Sequence, residues 1–320
     1  MKVLIIGGAG YIGSVTTRLF LSHGAQVTVL DNLLFNGESL GELSANPNFK
    51  LIQGDVRNKE SVENAVKGID VIINLAAIVG EPLCAKYPKL AYETNYQAAC
   101  MVGDIAKKYS VKKYIFVSTC SNYGISTTTS GATEESELKP LSLYAETKIN
   151  AEIYISKLAS ESFTSVVVRF ATVFGLSPRM RFDLLVSEFV KEAFLRKKIT
   201  VYNPDVFRPL IHVVDASEAL LLLAETSKEI AGEVFNVGFD NYQKSEIIKM
   251  ITGKIPGVEI TTLKEGTDKR DYRVSFEKIK KVLDYKAMRS LEKGIDETIE
   301  ALKQNLYPNP DDSRYKNTDM

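Results

Sequence analysis

The chain opens Met1-Lys-Val-Leu-Ile-Ile-Gly7-Gly-Ala-Gly10-Tyr-Ile-Gly13-Ser14, and the reading of this stretch decides the fold. Val3 to Ile6 is an apolar run too short for a helix and bounded by glycine, so it reads as a buried strand. Gly7, Gly8, Gly10 and Gly13 follow at once, and Ile12, Val15, Thr16, Leu19 and Phe20 then recur at helical spacing until Gly24. Strand, glycine turn and helix together open a dinucleotide-binding βαβ unit. The glycines let the backbone turn tightly and approach a pyrophosphate, whose charge rests on the free N–H groups of the helix N-terminus. A glycine-rich turn alone carries little weight; here its flanking elements are those the motif requires.

At 320 residues the chain exceeds a comfortable single core, which favours one large domain and one smaller one. Lys+Arg and Asp+Glu both total 40, so no net field draws the protein to nucleic acid or a membrane surface. Cys84, Cys100 and Cys120 have neither metal spacing nor a pairing pattern, which fits a reducing compartment and no metal. With no long apolar stretch and no leader pattern, a cytoplasmic location is expected.

Further along, Gln26 to Leu30 alternates and ends at Asp31-Asn32, eighteen residues past Gly13. A carboxylate there is placed to accept hydrogen bonds from both adenosine ribose hydroxyls, and it would repel a 2′-phosphate, so NAD is expected over NADP. Asp31 as a simple strand-end cap is the alternative. A third strand runs Phe49 to Gln53 and ends Gly-Asp55-Val56, where Asp55 could equally cap a helix beginning near Asn58. A fourth strand ends in Leu75-Ala76-Ala77, small enough for a cofactor backbone to pass. Residues 78–84 read as a loop. From Pro88 a long helix with an apolar stripe runs to about Tyr109.

The fifth strand ends Ser118-Thr119-Cys120-Ser121-Asn122, bringing hydroxyls to the strand ends where ligands collect in open α/β sheets. Tyr144 and Lys148 are four apart on a predicted helix and so share one face. A phenol is a poor base at neutral pH unless a neighbouring cation stabilises the phenolate, and the lysine provides one. Lys148 is also placed to hold the nicotinamide ribose. Later, a helix is expected over Leu184–Arg196, and another over Ser245–Thr252 with a Ser cap. Gly232–Gly238 reads as a strand returning to the large sheet, and His212 as a structural residue. Residues 306–320 read as a flexible polar tail.

The G-x-x-G-x-x-G spacing of Gly7, Gly10 and Gly13, in the words Gly-Gly-Ala-Gly-Tyr-Ile-Gly, resembles the extended short-chain dehydrogenases/reductases that remodel nucleotide sugars with NAD. The resemblance covers almost the whole chain. It implies an α/β fold with a Rossmann-type doubly wound parallel sheet over residues 1–175, rejoined by segments near 208–238. A smaller C-terminal substrate-binding α/β domain would occupy 176–320, and the assembly would be a homodimer. It implies cofactor contacts from Gly7, Gly10, Tyr11, Ile12, Gly13, Asp31, Asn32, Asp55 and Val56. Leu75, Ala76, Ala77, Asn95, Ser118, Tyr144, Lys148 and Phe170 would complete the cofactor site. Val79, Cys120, Ser121, Asn122, Thr172, Arg179, Arg181, Arg208 and Arg270 would meet the nucleotide-diphosphate sugar, with Arg273 the alternative to Arg270.

By the same resemblance, Tyr144 takes a proton from the sugar C4 hydroxyl while hydride leaves that carbon for NAD, and Thr119 holds the oxygen. The family's 4,6-dehydratases carry Asp-Glu after the threonine, and its decarboxylating members a glutamate at the second of these positions; here Cys120-Ser121 supplies no carboxyl group. That favours a 4-epimerase. Residues 76–84, 171–183 and 268–275 are also similar to GDP-heptose 4-dehydrogenases, so a C4 dehydrogenase or reductase is the second reading. An unusual dehydratase using a tuned cysteine is the third, and a non-catalytic NAD sensor the last.

Overall fold

A strand apolar at every position, such as Val3–Ile6, needs a covering layer on both faces of its sheet. The computed structural model, which describes residues 1–125, 130–263 and 270–317, supplies one. β1 (Lys2–Ile6) leads through the glycine turn into α1 (Tyr11–Ser22), β2 (Gln26–Asp31), β3 (Phe49–Gln53), α2 (Lys59–Val66) and β4 (Val71–Asn74). α3 (Glu81–Lys86), α4 (Pro88–Tyr92) and α5 (Ala99–Lys108) precede β5 (Lys113–Thr119), α6 (Leu143–Ser156) and β6 (Thr164–Phe170). β7 (Thr172–Phe174), α7 (Leu185–Arg196), β8 (Lys198–Tyr202), β9 (Phe207–His212) and α8 (Val213–Glu225) follow. The described chain continues with β10 (Val234–Val237), β11 (Asp240–Gln243), α9 (Lys244–Lys254), β12 (Glu259–Leu263), α10 (Glu277–Leu283) and α11 (Leu291–Lys303).

The main sheet has seven strands in the order β3-β2-β1-β4-β5-β6-β10, all parallel. Val3 and Ile5 feed the core on one face, Leu4 and Ile6 the core on the other. This is the expected Rossmann-type sheet, and Gly232–Gly238 returns to it as β10. The strand order reverses at β1 and β4, so a crevice opens at their carboxyl ends, where the glycine turn and Leu75–Ala77 lie. The second half adds a sheet of β7, β9 and β11 and the parallel pair β8–β12. No helix among the described residues is long and apolar enough to cross a membrane.

Four local expectations change. Residues 81–86, read as part of a loop, form α3: Gly80 takes φ +94° before it, and Pro82 sits in the first turn, where a missing N–H costs nothing. The helix from Pro88 is interrupted by a π-helical segment, Glu93–Ala98. The side chain of Asn95, inside it, accepts from the Ile78 N–H at 2.8 Å and donates to the Ile78 carbonyl at 3.0 Å. Such π segments recur at functional sites. Gln243, not Ser245, caps α9, in a reciprocal pair with Glu246.

The tail is the fourth. Within the described residues to 317 it is docked: Phe182 donates its N–H to the Tyr315 carbonyl at 2.9 Å, and Tyr307 donates its hydroxyl to the Ser177 carbonyl at 3.0 Å. Phe182, Tyr307 and Tyr315 meet edge-to-face, with centroids 5.6 to 5.8 Å apart.

Candidate active site

The glycine turn is built to leave one space open. Gly7 has φ +83°, and a Cβ there would lie 2.8 Å from the Ala76 nitrogen; one at Gly13 would lie 2.2 Å from the Gly7 carbonyl oxygen. Gly10, by contrast, would meet only the Gly7 oxygen, at 3.3 Å. A side chain at Gly10 would therefore fill the cradle in front of α1, whose N-terminus has no side-chain cap. An anion placed there meets free N–H groups and the positive end of the helix dipole. The residues fit a dinucleotide diphosphate.

Asp31 ends β2 beside this cradle, accepting from the Ala9 N–H at 2.9 Å and the Leu33 N–H at 2.8 Å. Burial raises its pKa, and the two amide hydrogen bonds act against that rise. It thus braces the glycine turn and presents a carboxylate at the strand end. Asn32 accepts from the Leu34 N–H at 3.1 Å, and Val56 is buried. Asp55 is neither a helix cap nor unpaired: Asn58 caps α2, while Arg57 binds Asp55 at 2.7 Å and Glu93 at 2.9 Å.

Two expected cofactor residues act behind the cradle. Tyr11 donates its hydroxyl to the Gly175 carbonyl at 2.6 Å, tying α1 to the end of β7. Asn95 spends its amide on Ile78 and, at 3.3 Å, on the Thr147 hydroxyl of α6. Through these side chains both residues position the site, while the Tyr11 backbone N–H stays among the free donors of the α1 N-terminus.

Tyr144 and Lys148 share the first turns of α6, opened by a Ser142 cap. Tyr144 is partly exposed, whereas Lys148 is buried with its ammonium 4.2 Å from the centroid of the Phe116 ring. Burial pulls Lys148 down to about 7, against the pull of Glu152 and Cys84. Burial likewise pushes the Tyr144 hydroxyl above its ordinary value; the Cys84 sulfur adds to this, while Arg181 and Arg270 oppose it. The phenol is thus protonated as the site stands, and added positive charge would bring it into play. Thr119 accepts from the Ser121 N–H at 3.0 Å through its side-chain oxygen, which leaves its own O–H to donate.

Beneath this pair lies a buried network that the sequence reading missed. Glu152 sits one turn beyond Lys148 and accepts from Arg169 at 2.7 and 3.0 Å. Ser118 donates its hydroxyl to Glu152, and Asn122 donates its amide to it at 2.6 Å. Arg169 also reaches the Tyr123 hydroxyl at 2.9 Å, which donates to Asn236 of β10 at 2.7 Å. Ser118 and Asn122, expected at the cofactor and the substrate, are therefore drawn inward by a buried carboxylate. Cys120 is corrected too: its thiol is buried, donates to the Arg169 carbonyl at 3.2 Å, and is pushed up by burial. The i, i+4, i+8 series Tyr144, Lys148 and Glu152 was the available signal for the network.

The opposite wall carries the arginines. Ser121 accepts from Arg270 at 3.0 Å and lies 3.3 Å from the Tyr272 hydroxyl. Arg208 at the start of β9 donates to the Arg270 carbonyl, and Arg273 stacks on Phe207 at 3.8 Å from the ring centroid. Asp268 and Lys269 of the same motif lie outside the described residues. Arg181 forms a bidentate pair with Asp183 at 2.7 and 3.1 Å. Val79 is partly exposed before α3; Thr172 starts β7, and Phe170 pairs with Thr119 across β5 and β6. His212 caps α8 by accepting from the Val214 N–H at 3.2 Å and pairs with Glu297, a structural role as read.

The family described as NAD dependent epimerase/dehydratase matches residues 3–238. The chain belongs to that family, within the extended short-chain dehydrogenases/reductases, and is an enzyme whose cofactor is NAD. It is 27% identical to a UDP-glucose 4-epimerase of Corynebacterium glutamicum, over 89% of this chain and 90% of that one. It is 28% identical to a dTDP-glucose 4,6-dehydratase of an Actinoplanes species, over 95% of this chain and 98% of that one. Among solved structures, the UDP-glucuronic acid 4-epimerase of Bacillus cereus, in complex with UDP-glucuronic acid and NAD, superposes with a TM-score of 0.87. That pair is 26% identical, over 96% of this chain and all of that one.

Proposed function

We propose that the protein is a nucleotide-sugar 4-epimerase working through a 4-keto intermediate. The observation that carries this reading is the turn after β5. In place of the carboxyl groups that dehydration needs, Cys120 turns its thiol inward to the Arg169 carbonyl and Ser121 binds Arg270 and Tyr272. A thiol that is buried, hydrogen-bonded and raised in pKa is a poor acid or base for eliminating water. Proton chemistry at the sugar then falls to Tyr144.

In this reading Arg208 and Arg270 hold the substrate diphosphate, for which guanidinium forks are suited. The C4 hydroxyl lies between Thr119, which donates to its oxygen, and Tyr144. When bound, NAD would supply a reversible hydride acceptor for C4. Tyr144 accepts the hydroxyl proton as the C=O bond forms and returns it when the sugar has presented its other face. Lys148 supplies positive charge one turn away, lowering the cost of the phenolate. We also propose a homodimer, as the family resemblance suggests.

The second reading, a C4 dehydrogenase or reductase, draws on residues 76–84, 171–183 and 268–275, whose sequence is similar to GDP-heptose 4-dehydrogenases. Incubation with UDP-, GDP-, CDP- and dTDP-sugars, with products read by mass and NMR, separates the two. An unchanged mass with inverted C4 supports the epimerase. A gain or loss of two hydrogens supports the second reading, and loss of water refutes both.

A further inference from the structure

Arg179 is a buried guanidinium that no carboxylate among the described residues hydrogen-bonds. The residue is 5% exposed. One terminal nitrogen donates to the Lys316 carbonyl at 3.2 Å, and the guanidinium lies 4.4 Å from the Phe35 ring centroid. Its Nε has no partner among the described residues. Asp183, the nearest acid in the motif, is committed to Arg181. Burial, with Arg181 adding repulsion, pulls Arg179 down to about 10, against the opposing pull of Asp183.

Its position selects which anion. The Arg179 N–H donates to Ser177 Oγ at 3.2 Å, and Ser177 Oγ reaches the Tyr11 carbonyl in the first turn of α1 at 2.7 Å. Phe35 belongs to the stretch that follows Asp31, and Ser39 of that stretch donates to the Ala9 carbonyl of the glycine turn at 2.8 Å. Arg179 is thus bracketed by the two segments that form the cofactor cradle. Arg208 and Arg270 are grouped with Ser121 and Tyr272.

We infer that Arg179, stacked on Phe35 and backed by the Lys316 carbonyl, is a ligand of the cofactor's diphosphate and not of the sugar nucleotide. A helix N-terminus offers about half an elementary charge, whereas a diphosphate carries about two, so a buried guanidinium supplies much of the remainder. The inference rests on the family's NAD cofactor and is independent of which reaction follows.

The test is calorimetric titration of the full chain, stripped of nucleotide, with NAD, adenosine and a panel of nucleoside diphosphates. Arg179→Gln is expected to weaken NAD by roughly 10- to 100-fold, the scale of a lost charge-assisted contact. Adenosine, which has no phosphate, should bind unchanged, showing that the cradle is intact. The nucleoside diphosphate that wild type prefers should bind within about two-fold, since Arg208 and Arg270 remain. Unchanged NAD affinity would overturn the inference, and unchanged NAD with weakened nucleoside diphosphate would move Arg179 to the substrate side. If Arg179→Gln does not fold, Arg179→Lys keeps the charge but loses the planar fork and is read by the same three ligands.

Discussion

At the scale of single residues, Tyr144 and Lys148 carry the account, and their surroundings make it testable. Tyr144→Phe removes the proton carrier without touching the glycine cradle. Turnover should fall by about 100- to 10,000-fold while NAD affinity, read by calorimetry, stays near wild type. Lys148 gives a pH-dependent signature. Burial lowers it to about 7 from 10.5, so between those values the unfolded chain holds the extra proton and stability rises with pH. Lys148→Met removes that slope. In protein stripped of NAD, the variant should melt roughly 5 °C above wild type at pH 6, with the gap shrinking toward pH 10. A gap that widens with pH would contradict the burial of Lys148. Both residues were legible in the sequence because a phenol and an amine four apart on a helix have a shared face and a chemical reason to share it. Cys120, Asn122 and Ser118 were misread for the opposite reason. Nothing in the linear order shows that Glu152 and Arg169 lie beneath them.

At the scale of elements, the buried network joins the end of β5, α6, β6 and β10 under the reacting face. Glu152 and Arg169 are both almost fully buried, unlike the surface pair Arg18–Glu42, whose glutamate side chain is 71% exposed. Breaking the surface pair should cost at most about 1 kcal/mol. Glu152→Ala leaves the Arg169 charge uncompensated and should cost about 3–5 kcal/mol, measured by urea unfolding. A cost as small as that of the surface pair would mean the network does not hold Ser118 and Asn122 as described. The parallel sheet was readable because most of its strands are short apolar or alternating runs ended by glycine, Asp or small residues. The π segment at Glu93–Ala98 was not, since it depends on Asn95 reaching Ile78 in a different segment.

At the scale of the molecule, the two halves are fastened through α1: Tyr11 to Gly175, Ser14 to Ser177 at 3.0 Å, and Thr16 to Ser217 at 3.0 Å. The tail packs back on this junction through Tyr307 and Tyr315, which a reading by polar composition overlooked because two aromatic residues outweigh the prolines and charges around them. The proposed dimer has a candidate face across α4, α5 and α6, where Tyr92, Ile153 and Tyr154 are exposed beside Tyr96 and Met101. Sedimentation should give a dimer for wild type and a monomer for Ile153→Asp; a monomeric wild type would refute it. The central claim is that hydrogen leaves C4 and returns to C4. A nucleotide sugar carrying deuterium at C4 tests it most directly. The account predicts a C4-inverted product of unchanged mass with the label still on C4. Label found on C6, lost to solvent, or left on the cofactor beside a 4-keto product would contradict it.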